Sequence, residues 1–153
     1  MEIVGAVIAV TAATVRTTSA VWSLCDAWRE APAELHRLLE DLRCAQQFFG
    51  ETQEGIQHSP YLTNRSGIPS ATNDMQRLLG DGADVIKDIG HLVERLRRGP
   101  RDDGGGWEEL RLEEVGKRRR AMWLRQTWKV TRLRKRLKNV TARLCHLLVA
   151  QNV

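Results

Sequence analysis

Trp123, Val130, Leu133, Leu137, Val140, Leu144 and Leu147 recur at spacings of three, four and seven residues. A strand, whose faces alternate at every residue, cannot gather such a set on one side. An α-helix of 3.6 residues per turn brings all seven into one stripe. A stripe of that length has to be covered by other apolar surface, and the chain carries three more segments built to the same rule.

The first of these is a helix over about residues 2–30, with Ile3, Val7, Val10, Thr14, Thr17, Val21, Leu24 and Trp28 as its seam. Its many β-branched residues lower its intrinsic helix preference, so tertiary or membrane contacts must hold it. The second, over about 32–54, opens at Pro32, a residue favoured in the first helical turn. It aligns Leu35, Leu38, Leu42, Ala45 and Phe49, and Gly55 is expected to end it. Pro60, Gly67 and Pro69 then mark a surface loop, within which Asn64-Arg65-Ser66 is read as a chance sequon. A third helix, over about 70–98, aligns Met75, Leu78, Val85, Ile89, Leu92 and Leu96 and stops at Gly99-Pro100. Gly80, Gly82 and Gly90 interrupt it, each costing roughly 1 kcal/mol against alanine, and predict a close crossing or a kink. The fourth helix occupies about 107–150 after the Gly104-Gly105-Gly106 linker. The expected fold is all-α, one antiparallel four-helix bundle spanning 1–153, with Leu38, Leu42, Phe49, Leu78, Ile89, Leu92, Leu133, Leu137 and Leu144 in its core.

Charge divides the chain. Of its 24 Lys and Arg, twelve lie in residues 117–143 with no Asp or Glu among them, so the remainder, with twelve cations and 19 carboxylates, carries −7. Lys117, Arg118, Arg119, Arg120, Arg132, Lys135 and Arg136 make up the basic face. Four readings suit such a face: a solvated surface, pairing with the acidic body, anionic lipid head groups, or nucleic acid. Nucleic acid is the least favoured, because the basic residues run on through the heptads instead of preceding them as in a basic region feeding a zipper. A smaller acidic stripe of Asp81, Asp84 and Asp88 shares one face of the third helix and suits arginines on another domain.

The chain has no phosphate-binding loop, no nucleophile elbow and no clustered His or Cys, so no enzyme, cofactor or metal site is expected. Glu108 with Glu109, and Glu113 with Glu114, suit a helix start. Cys25, Cys44 and Cys145 form no framework, which points to a reducing, cytoplasmic setting, and their apolar neighbours predict burial. Residues 3–15 are uncharged, but only Glu2 precedes them, and a secretory signal wants Lys or Arg there. That run is too short to span a bilayer, yet residues 3–25 hold one charge, Arg16, and as a helix would extend about 35 Å. Several such helices together could shelter Thr11, Thr14, Arg16, Thr17 and Thr18 on an inward side.

Three stretches carry a family likeness. The apolar first helix, then Leu35-x-x-Leu38-Leu39-Glu40-Asp41-Leu42 leading to Phe48-Phe49, resembles the first two helices of the N-terminal coiled-coil domains of plant intracellular nucleotide-binding leucine-rich-repeat immune receptors. Ala83-Asp84-Val85-Ile86-Lys87 is similar to the acidic EDVID motif of those domains and keeps its central Asp-Val-Ile. The apolar spacing of residues 1–10 is similar to the start of the family's MADA-type helix, although Glu2 is the only carboxylate before Asp26. The resemblance implies a signalling module, the N-terminal part of a longer receptor, that contacts its own nucleotide-binding and repeat domains at rest. It implies self-association on activation and movement from cytoplasm to plasma membrane, where Ile3, Val7, Val10, Thr14, Arg16 and Thr17 belong to a helix that promotes cation entry and cell death. The competing reading is a helical scaffold or dimerisation module that binds partner proteins and never meets a membrane.

Overall fold

The structure is a computed structural model and describes residues 2–28, 31–58, 69–98 and 112–151. Four helices account for nearly all of them: α1 Glu2–Ala27, α2 Ala33–His58, α3 Pro69–Arg98 and α4 Leu112–Gln151. They pack as an all-α four-helix bundle. Every residue expected in the core is buried there, with Leu38, Leu42, Phe49 and Ile89 fully enclosed.

The boundaries differ from the sequence reading in instructive ways. α1 stops at Ala27, three residues before the expected end. The Trp28 amide still donates to the Leu24 carbonyl, but the Trp28 carbonyl instead accepts from Ala31, closing a turn. Pro32, placed at the expected opening of α2, offers its carbonyl to the amides of Leu35 and His36 and so starts the helix without belonging to it. α2 runs through Gly55 to His58, so a single glycine does not stop it. Residues 107–111, the start expected for the fourth helix, lie outside the described residues, as does the sequon at 64–66.

Helix order around the bundle follows from a few close approaches. A Cβ placed on Gly82 of α3 would lie 3.4 Å from Val140 Cγ1 of α4, 3.6 Å from Phe49 Cζ of α2 and 3.8 Å from Val10 Cγ2 of α1. All four helices therefore converge at one level. Eight residues further along α3, Gly90 lies against Thr17 of α1, so α1 and α3 advance together and are parallel. Asp88 of α3 meets Arg136, four residues before Val140, so α3 and α4 are antiparallel. Asp41 of α2 meets Arg134 in the direction that makes α2 and α4 parallel. Helices consecutive in the chain run antiparallel, as expected.

Their spatial order, however, is α1, α2, α4, α3. The principal interfaces are α1 with α3, α1 with α2 and α3 with α4, and the α2–α4 interface is much the lightest of the four. α1 and α4 therefore stand on opposite sides of the bundle. α3 is continuous through its glycines, which serve close crossings at Gly82 and Gly90 and produce no break.

Candidate functional site

α1 is the one helix among the described residues that is long and apolar enough to cross a membrane, over Ile3–Ala27. Only 28% of its most apolar window is buried in the bundle. Its inward side consists of Val7, Val10, Thr14, Thr17, Val21 and Leu24, all buried, with Ile3 packed against them.

Two of the three buried threonine hydroxyls of α1, those of Thr14 and Thr18, are bound within their own helix. Thr14 donates to the Val10 carbonyl at 2.6 Å and Thr18 to the Thr14 carbonyl at 2.7 Å, while partly buried Thr11 donates to the Val7 carbonyl at 2.7 Å. Such back-bonding slightly weakens a helix but leaves these three hydroxyls without need of a partner on a neighbour. Thr17 packs against Gly90.

Arg16 overturns one expectation. It is exposed, and at 100° per residue it leaves the helix about 160° away from Thr14, so the threonines and this arginine cannot line one polar side of a straight helix. The outward side of α1 instead carries an apolar stripe at heptad spacing: Ile8, Val15 and Trp22, each between 43% and 50% exposed. Exposed Gly5, Ala12 and Ser19 alternate with them. The sequence seam had assigned apolar residues to the core and left this second stripe unread, although its spacing of seven was visible.

On α3, Asp81 and Asp84 are exposed, and the more covered Asp88 accepts from Arg136 at 3.3 Å. The acidic stripe and the basic face therefore meet each other at one point. A second tie, which the sequence reading missed, is stronger: Arg134 Nε donates to Asp41 Oδ2 at 2.6 Å, with only 20% and 15% of the two side chains exposed. Lys138 approaches the other Asp41 oxygen at 3.9 Å. Asp41 sits one position before core residue Leu42 and Arg134 one after core residue Leu133, so both lie at the edge of the seam where α2 and α4 face each other.

Beside this tie the loose α2–α4 interface opens into a shallow groove of about 340 Å³ lined by Asp41, Cys44, Phe48, Leu137, Lys138 and Thr141. Cys44 and Cys145 are exposed and Cys25 is half-buried, contrary to the burial expected of all three. Each lies next to an apolar residue in sequence, but neighbours in sequence are about 100° apart on a helix and do not share its inward face. Burial pushes the Cys25 thiol up, and the nearby Arg43 opposes that in part.

α4 presents Lys117, Arg118, Arg120, Arg132, Lys135 and Arg136 to solvent, and the side chain of Arg119 lies outside the described residues. Among them stand two residues that the sequence reading passed over. Leu124 is 68% and Trp128 65% exposed. Both are out of phase with the Trp123–Val130–Leu137 seam: Trp128 and Leu137 are nine residues apart and so face about 180° from each other. That offset was the available signal.

No group of His, Cys, Asp or Glu among the described residues could hold a metal ion. The chain matches no protein-family model, no curated protein and no solved structure.

Proposed function

We propose that this chain is the signalling domain of a plant immune receptor, held at rest as a four-helix bundle, which self-associates on activation and acts at the plasma membrane through α1 to promote cation entry and cell death. The observation that carries this reading is the self-sufficiency of α1. It is long and apolar enough to cross a bilayer, and buried Thr14 and Thr18 keep their hydrogen bonds inside the helix, so leaving the bundle would strand neither of those hydroxyls. Arg16 makes insertion of a solitary helix costly, because an arginine within a span needs other chains or water around it. Bringing several copies together supplies those neighbours and raises their effective concentration. In the intact receptor the nucleotide-binding and repeat domains would restrain this step, with Asp81 and Asp84 free to contact them.

The outward stripe of Ile8, Val15 and Trp22 supports a second reading equally well, since the same ridge could seat a partner helix in a scaffold that never meets lipid.

Val7 and Val10 are core residues, so a carboxylate there would break the bundle and the test belongs on the outward stripe. Ile8→Glu and Val15→Glu, in residues 1–153 fused to an oligomerising tag and expressed in leaf cells, are expected to abolish ion leakage at unchanged protein abundance. Full leakage from both variants would sink the membrane role of α1. Leakage lost together with self-association, and no dye release from vesicles by the wild type, would favour the scaffold.

A further inference from the structure

We infer that the outward side of α4 is a docking face for an anionic lipid surface, used by the folded bundle and independent of any departure of α1. On a helix seen end-on, Trp128 points directly away from the core, Leu124 lies about 40° to one side, and Lys117, Arg132 and Lys135 fall within about 40° of Trp128. Arg125 flanks them at about 60°. All six are exposed, and Lys117, Arg125, Arg132 and Lys135 make no ion pair with any described residue. The cations that do pair, Arg134, Arg136 and Lys138, lie toward the sides of α4 that face α2 and α3. From Lys117 to Lys135 the face therefore carries cations and no carboxylate, with an apolar wedge at its centre.

That combination matches the chemistry of a membrane interface. Lysine and arginine bind acidic head groups, each contributing roughly fivefold in partition. An indole prefers the boundary between head groups and acyl chains, and a leucine beside it adds apolar burial. The basic residues from Lys117 to Lys135 extend about 27 Å along a straight helix, which suits a flat surface. The remaining charge of −7 on the rest of the chain would turn the body away from the same surface and so fix the orientation.

Nucleic acid fits less well. At the centre of the face stand two large apolar side chains, Leu124 and Trp128, where phosphate contacts call for cations and polar donors. Leu124 has no ring with which to stack on a base.

The test is co-sedimentation of folded 1–153 with phosphatidylcholine vesicles that contain or lack phosphatidylserine, at low and moderate salt. Binding is expected only to the anionic vesicles and should weaken as salt rises. Arg132→Glu with Lys135→Glu, and separately Leu124→Ser with Trp128→Ser, should each reduce it by about tenfold or more. All four positions are exposed, and an unchanged melting transition would verify that the bundle persists. Ile8→Glu on α1 should leave vesicle binding intact. The inference is overturned if the wild type ignores anionic vesicles, if Ile8→Glu removes binding while the α4 variants retain it, or if single-stranded RNA displaces the protein from vesicles and the α4 variants lose RNA affinity instead. Because the readout is binding by the intact bundle, its failure leaves the ion-leakage test of α1 standing, and the converse also holds.

Discussion

Leu137 and Asp41 represent the two kinds of residue that hold α4 in place. Leu137 is enclosed by the core and also forms part of the floor of the α2–α4 groove. Leu137→Ala should lower stability by about 2–5 kcal/mol, the range for a truncated core leucine, measured by chemical denaturation. Asp41 works differently, because its carboxylate is mostly withdrawn from water and answered by Arg134. Asp41→Asn leaves that guanidinium underpaired and should cost about 1–3 kcal/mol. If the loss were below 0.5 kcal/mol, roughly the worth of a surface pair, the tie would be no more than a surface contact. Leu137 was legible in the sequence because period alone assigns it. Asp41 was not, since nothing local tells a carboxylate at a seam edge from one in open solvent. The partner that decides it lies 93 residues away.

At the scale of the element, α1 has two apolar sides and they should behave oppositely. Val10→Glu places a charge where nothing is exposed and should abolish the cooperative melting transition, because a buried unpaired carboxylate has no compensation. Val15→Glu lies on the outward stripe and should melt within about 0.5 kcal/mol of the wild type, the usual range for a surface substitution. Circular dichroism during heating separates the two, and an intact transition for Val10→Glu would show that α1 is only loosely docked. Helix existence and inward faces were readable from spacing, as the Val10 and Leu137 seams demonstrate. Residues off the seam, such as Val15, Leu124 and Trp128, were passed over because only the seam that must be covered was followed, although their spacing and phase were there to be read.

The whole molecule depends on which helices are neighbours, and no local pattern encodes that. The spacing of the stripe on α1 does not say which of the other three it packs on. The observed ring of α1, α2, α4, α3 makes α1 the main partner of both α2 and α3, while α2 has only the light, grooved interface with α4 besides. A chain beginning at residue 33, without α1, should lose its sharp thermal transition and bind a dye that reports exposed apolar surface. A cooperative melt from that truncated chain would show that α2 is held without α1.

That arrangement makes α1 a keystone. Because α2 leans mainly on it, drawing α1 out would not leave a tidy three-helix remnant behind. It would also unseat α2 and uncover Leu35, Leu38, Leu42 and Phe49. On the proposed reading, freeing the first helix and exposing a sticky second one would then be a single event. A copy that had let go of its own α1 would offer newly bared leucines to the next copy, so that assembly could feed on the disassembly that precedes it.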